Sequence, residues 1–541
     1  MIEPPPILLA RRSELVLPPV VRPRTDTEAR LAVFFAAALE LDEVGVEDSF
    51  FELGGDSLRA SRLLERLRGS GHELTARQLL GNPTVARLGL LLDGSSPAHE
   101  AAVDIGRPST EEGADTRWDD VPLSVQQQAI WFVELLAPGA VGYNALARVT
   151  LDGVLDVPRL RSALSAVIAR HPALRTRFPE NDDGVPVQRM SAEVEPELDV
   201  VTALGPIADL VRRVGAHGFD LAHGPPVRWT LVRLAPERHV LLQVEHHFAH
   251  DGWSMWVLLQ DIASAYRQLG SGPRIDLGAD GTSYAAYCRW QRDWLLGRQA
   301  KRQVAHWIRE VGPLGEPLRW PAENGRRPPR FTQRGETAAV TLDDAVRTRL
   351  HRYAGSIDAT PFAVLMACYV VLIGQECGTA APVLGSMLRN RRLPGVDRTV
   401  GMFVNTVALA FPGWEDQDVA RLAREITARL ADALDHQEIP FPLVAKELGV
   451  SRDLSRNPVF QTCFSMNDWP DPRLDFGDGI STEVDFPGNG GAKFDLDVVV
   501  VPTADSTALL WRYSTPLFDD AEVTRLADRY LRLLDHTVLG D

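Results

Sequence analysis

Glu245-His246-His247-Phe248-Ala249-His250-Asp251-Gly252-Trp253-Ser254 is the stretch on which the reading of this chain turns. It sits where a strand runs into a helix. Residues 238–247 are β-like, with Val240, Leu242, Val244 and His246 on one face and Leu241, Gln243, Glu245 and His247 on the other, because side chains alternate along a strand. The two histidines therefore have different tasks. His246 continues an apolar face and reads as a hydrogen-bonded structural histidine. His247 leaves the end of a face flecked with polar residues and is the candidate base facing a cavity. Beyond Asp251-Gly252 a helical pattern begins, with Leu258, Ile262, Ala265 and Leu269 at helical spacing. Asp251 and Ser254 suit its N-cap. Gly252 permits a backbone conformation and a close substrate approach that a side chain would block. Imidazole titrates near working pH, which suits proton transfer, and a carboxylate four residues later orients it or anchors the turn.

A lone His-x-x-x-Asp is a weak signal. His-His-x-x-x-Asp-Gly followed by Trp-Ser on a strand-to-helix junction is far more specific, and it resembles the core motif of the condensation domains of nonribosomal peptide synthetases. These belong to the chloramphenicol-acetyltransferase-like acyltransferases. Six further segments resemble the family's motifs in the right order. They are Pro122 to Phe132, Arg170 to Phe178, Tyr284-Ala285-Ala286-Tyr287, Gly385 to Arg391 with Val400 to Thr406, His436 to Phe441, and Arg452 to Phe460. Two positions depart from the pattern: Ala129 stands where a long or basic residue is commoner, and Pro442 where glutamate is usual.

Toward the N-terminus, residues 1–24 are proline-rich and read as a linker. A helix is expected from Thr25 or Thr27 to about Leu41, with Leu31, Phe34, Phe35 and Leu39 as its apolar stripe. A second is expected from about Ser57 to Arg68, then a short element and a last helix over 84–92. Together they predict a small four-helix bundle over 25–94. Ser57 at a helix start reads, in itself, as an ordinary N-cap. Yet Leu53-Gly54-Gly55-Asp56-Ser57-Leu58 resembles the attachment motif of peptidyl carrier proteins. That resemblance implies 4′-phosphopantetheine on Ser57, where a helix N-terminus favours the phosphate. Seven acids and no base lie between Glu40 and Asp56, a surface attractive to a basic partner. Residues 95–120 are poor in large apolar residues and read as a linker.

The chain has 541 residues, enough for several domains or lobes, and a formal net charge of −16, which argues against nucleic acid as a partner. The four cysteines are scattered and suggest neither a metal site nor a disulfide framework. The first residues lack the pattern of a signal peptide, and no apolar run is long enough to span a bilayer. A soluble cytoplasmic protein with no membrane partner is expected.

The resemblance implies two chloramphenicol-acetyltransferase-like α/β lobes, about 121–290 and 291–541, in a V shape around a tunnel. The implied reaction is amide formation: the amine of an aminoacyl thioester on a downstream acceptor carrier attacks the aminoacyl or peptidyl thioester on this chain's carrier. His247 would take the amine's proton or hold the amine in line. Gly252 is the candidate amide facing the developing oxyanion, and Asp251 holds the loop. Arg391 is the first choice of partner for Asp251, and Arg175 the second. No metal is required. Implied partners are a phosphopantetheinyl transferase, an upstream adenylation domain and the acceptor carrier. With no epimerase between carrier and condensation domain, an L or achiral donor is expected. Neither an adenylation domain nor an acceptor carrier is present, as in a fragment of a larger synthetase. An epimerase would carry Gly-His-Gly-Arg-Glu and lack Phe403-Val404-Asn405-Thr406, and a heterocyclase would replace both histidines by aspartate. A catalytically silent recruitment platform is the remaining rival.

Overall fold

The computed structural model describes residue 12, most of 17–94, and 120–539 apart from short stretches such as 137–138, 313–316, 450–452, 468–472 and 503–505. Ser57, with Gly54, Asp56 and Leu58, lies outside the described residues, as do 95–119 and Arg452.

The N-terminal helices form for local reasons. Asp26–Leu39 starts at Thr25, whose hydroxyl accepts from the Glu28 N–H, and ends at Glu40 in the left-handed conformation. Ala76–Gly81 opens with a reciprocal capping box between Thr75 and Gln78. With Val85–Gly94 these helices enclose Leu31, Phe35, Phe50, Leu63, Leu67, Leu79 and Leu88. Ala431, from the helix Val419–Asp435, closes one side of this core. The expected second helix lies partly outside the described residues, of which 59–60, 63–64 and 66–67 are helical.

The large remainder is built on two main sheets. The first has five strands, in the order Ser481–Asp485, Asn144–Asp152, Arg238–His246, Val227–Ala235, Leu198–Thr202. The central strand Arg238–His246 is covered on both faces. Val240, Leu242 and Val244 pack with Leu146 and with Val211 of the helix Ile207–Gly215. Leu241 packs with Val149, Leu164, Leu258 and Ile262 beneath the helices Val157–Arg170 and Gly252–Ser271. Each such fully buried aliphatic side chain contributes about 1.5–3 kcal/mol. The polar residues of the second face are covered as well. Gln243 and Glu245 are buried under the Gly252–Ser271 helix, and only His247, past the strand's end, is partly exposed.

The second sheet has six strands, in the order Asn405–Ala410, Val383–Leu388, Thr462–Met466, Leu496–Pro502, Thr507–Ser514, Gly335–Leu342. The helix Pro361–Cys377 is buried along nearly its whole surface against this sheet and the helix Asp520–Leu539. Among the described residues no single helix is long and apolar enough to cross a membrane. A short three-stranded sheet joins Val121–Pro122, Val187–Met190 and Thr176–Arg177.

The strand Ser481–Asp485 belongs by sequence to the second half, yet it pairs antiparallel with Asn144–Asp152 of the first sheet, from Ser481 opposite Asp152 to Asp485 opposite Arg148. A lobe ending near 290 is therefore not contiguous in sequence. The physical reason is that Asn144–Asp152 would otherwise present an unpaired edge. The added strand satisfies it, and Asp485 pairs with the Arg148 guanidinium.

Candidate active site

The His-His segment is held by backbone before any side chain acts. Asn144 stands opposite His246 in the ladder, and the His247 N–H donates to the Tyr143 carbonyl at 2.9 Å. The chain then turns, with the Ala249 N–H on the His246 carbonyl at 3.0 Å. Gln127 Nε2 donates to the Phe248 carbonyl at 2.7 Å and so fastens the opening motif to this turn. Asp251 caps the helix Gly252–Ser271, its Oδ1 accepting from the Ser254 N–H at 2.8 Å.

The two histidines are distinguished by their partners. His246 is buried. Its Nδ1 accepts from the Phe248 N–H at 3.2 Å, which leaves the proton on Nε2, 3.4 Å from Glu134 Oε1. His247 Nδ1 lies 3.3 Å from the His250 carbonyl, which can only accept, so its proton sits on Nδ1 and the Nε2 lone pair is left to act. Lys493 Nζ points at that lone pair from 2.7 Å. The Tyr143 ring meets His247 edge-on, and the His250 ring stacks on it at 4.9 Å. Burial, with the charges of Lys493 and His250, holds the His247 pKa well below the usual histidine value. His247 is thus neutral at neutral pH, the form a base needs.

Asp251 does not face this space. Oδ1 accepts from Ser254 Oγ at 2.7 Å and Arg391 Nη2 at 2.9 Å, and Oδ2 accepts from the N–H groups of Phe403 and Val404 at 3.1 and 3.3 Å. Arg391 also donates to the carbonyls of Val396 and Thr399, both at 2.7 Å, and lies over the Phe403 ring. The pair is wholly buried, and it ties the helix after the histidines to the segment 400–405 of the other half. Arg175 is elsewhere. Its guanidinium donates to the carbonyls of Ile168, Ala169, Ser191 and Ala192, closing the turn after the helix Val157–Arg170, so it is no partner of Asp251. Gly252 has no positive φ, so a special backbone conformation is not its reason. A Cβ placed there would meet nothing within 4 Å, which leaves an open approach to the helix start.

The other motifs are mutual hydrogen-bond partners. Tyr284 OH donates its one proton to the Met402 carbonyl and accepts from the Ser124 hydroxyl, at 2.9 Å each. Asn405 Nδ2 holds the carbonyls of Gln437 and Ile439. Buried beneath the histidines, Glu245 accepts from Gln243, which accepts from Trp229. Burial pushes the Glu245 carboxyl up to about 8 and His250 down to about 3.

Sequence reasoning missed Lys493, Tyr143 and the role of Glu245. For Lys493 a signal existed: only three of the 57 basic residues are lysines. At the N-terminal end, Gly55 donates its N–H to the Phe50 carbonyl at 2.7 Å, and a Cβ there would lie 2.3 Å from the Phe50 ring.

Residues 118–539 match the condensation-domain family, and residues 29–92 match the phosphopantetheine attachment site family. The chain is 32% identical over 530 residues to the dimodular nonribosomal peptide synthase of Bacillus subtilis, covering 95% of this chain and 22% of that protein. It is 29% identical over 517 residues to tyrocidine synthase 3 of Brevibacillus parabrevis, covering 95% of this chain and 8% of that one. It therefore spans a small fraction of these relatives' length. The X-domain from teicoplanin biosynthesis superposes with a TM-score of 0.69 at 25% identity, covering 79% of this chain and 96% of that structure. With its motifs hydrogen-bonded to one another around two histidines, and a phosphopantetheine attachment domain ahead of it, the chain belongs to the condensation-domain family of nonribosomal peptide synthetases.

Proposed function

We propose that this chain forms a peptide bond in nonribosomal peptide synthesis. A carrier of four helices, about 25–94, is joined through 95–120 to two lobes set in a V around the histidines, the first of about 121–290 with the strand Ser481–Asp485 added and the second of the rest of 291–541. The group on Ser57 supplies a thiol that carries the donor acyl group as a thioester. As the acceptor amine's C–N bond forms and the thioester C–S bond breaks, His247 Nε2 receives the proton that the amine sheds and the departing thiolate takes up a proton to leave as thiol, or His247 holds that amine in line. The Gly252 amide, opening a twenty-residue helix, is the candidate contact to the developing oxyanion. Asp251 and Arg391 position the turn and touch no substrate. Partners are a phosphopantetheinyl transferase, an upstream adenylation domain and a downstream acceptor carrier, and the donor is L or achiral.

The observation that carries this reading is the tautomer of His247. Nδ1–H rests on the His250 carbonyl, so the basic nitrogen is the one facing away from its own strand. The test is intact mass after incubation with a phosphopantetheinyl transferase and an aminoacyl-coenzyme A, followed by addition of a separately loaded acceptor carrier. A mass gain lost in Ser57→Ala, and transfer reduced about 10²–10⁴-fold in His247→Ala, are expected. Loading without transfer across several acceptors would favour a silent platform. No loading would overturn the carrier assignment.

A further inference from the structure

Lys493 reaches the histidines from the far half of the chain on a built scaffold. Asn489 Nδ2 donates to the carbonyls of Val141 and Asn144 at 2.7 and 2.6 Å, clasping the 488–493 loop to the loop that precedes the His247 strand partner. Gly491 lies backbone to backbone on Gly142, so close that a Cβ would sit 2.7 Å from the Gly142 Cα. Asn457, in the segment resembling the last family motif, holds the Lys493 carbonyl at 2.7 Å. The main chain on both sides of Lys493 is thus pinned. Among the described residues its ammonium makes one hydrogen bond, to the Nε2 of His247 at 2.7 Å. The Tyr143 ring stands 5.6 Å from the ammonium.

An ammonium donating to Nε2 occupies the direction along which an acceptor amine must present its own N–H. We propose that Lys493 is a positioning residue that stands in for the acceptor amine. It caps the His247 lone pair, keeps the ring neutral with its proton on Nδ1, and yields its place to the incoming amine. This rests on His247 being the group that meets that amine. Lysine suits the task where arginine does not: its compact head is a single point donor and loses its proton readily when buried. Burial, with Arg512 nearby, brings the Lys493 amine down to about 7. Among the described residues, His246 and His250 act on His247 from the motif turn, Glu245 and Asp251 act in turn on His250, and Glu134 acts on Tyr143 from the element before it. Asp497, Arg512 and Cys463 act from the six-stranded sheet.

The test compares the holo-protein with Lys493→Met and Lys493→Arg, after circular dichroism has shown the fold retained. The first readout is the titration of His247 followed by imidazole proton NMR, assigned with His247→Gln. Removing the like charge in Lys493→Met is expected to raise the His247 pKa by about one unit or more, whereas Lys493→Arg keeps it low. The second readout is saturation by the acceptor carrier, where Lys493→Met is expected to shift the acidic limb of the pH–rate profile upward by the same amount. An unmoved titration in a folded Lys493→Met protein overturns the proposal, whether or not transfer occurs. Transfer that survives His247→Ala overturns instead the reading of the reaction, leaving the NMR result to stand on its own.

Discussion

Asp251→Asn isolates what the buried ion pair does, because it changes one oxygen to an amide without changing shape. The carboxylate accepts five hydrogen bonds, from the Ser254 N–H and hydroxyl, Arg391, and the N–H groups of Phe403 and Val404. An asparagine must aim its NH₂ at one of these donor sets. Turned toward Arg391 it sets donor against donor and leaves the guanidinium unpaired. Turned toward Phe403 and Val404 it orphans two backbone N–H groups and still loses the charge. Both side chains of the pair are almost wholly inaccessible, at 0% and 2% exposure, so water cannot substitute. Removing one partner of such a pair costs about 3–5 kcal/mol. The assay is denaturant unfolding followed by tryptophan fluorescence. All twelve tryptophans lie at or beyond Trp118, so the signal reports on the large domain and not on the carrier. The double variant Asp251→Asn with Arg391→Met is expected to recover part of the loss, since it removes the stranded charge. A single variant within about 1 kcal/mol of the parent would refute the reasoning, because an exposed or weakly coupled pair is worth no more than that.

Glu245→Gln is expected to remove a pH dependence. The folded carboxyl titrates near 8, and the unfolded one near the ordinary 4.5. Between those values the unfolded chain therefore holds fewer protons, and stability falls as pH rises, by up to about 1.4 kcal/mol per unit. The glutamine variant should lose that slope and be the more stable protein at pH 8 in the same fluorescence assay. Arg175→Ala frees four carbonyls at a helix end and should cost about 1–2 kcal/mol, while the imidazole NMR signals of His246 and His247 stay where they are. Thr482→Pro, in the strand Ser481–Asp485, removes a donor from the edge of the five-stranded sheet. It should lower the unfolding midpoint and speed amide exchange of residues 144–152 specifically.

What was legible in the chain was local. The change from period two to helical spacing across Asp251 marks the strand-to-helix junction, and a capping aspartate announces the helix start. These follow from steric and hydrogen-bonding rules that act over a few residues, and the structure keeps the junction within one residue of its expected place. The Arg391 pairing was reachable only through family resemblance, because 140 positions separate it from Asp251 and no periodicity spans such a gap. Arg175 was the natural second choice on the same grounds, but in the fold its donors are already taken by carbonyls that no motif announces. The edge strand Ser481–Asp485 was invisible for a different reason: Ser-Thr-Glu-Val-Asp is five residues long and mostly polar, and its pairing comes from the need of another strand rather than its own pattern. Lys493 combines both difficulties. It stands 246 positions from His247, inside a glycine-rich run that reads as a loop. The one hint was compositional: in a chain that uses arginine for nearly every positive charge, a lysine on the threshold of a buried strand is a residue whose proton can be lost. That property matters only beside a group that also exchanges protons, and the fold puts His247 there.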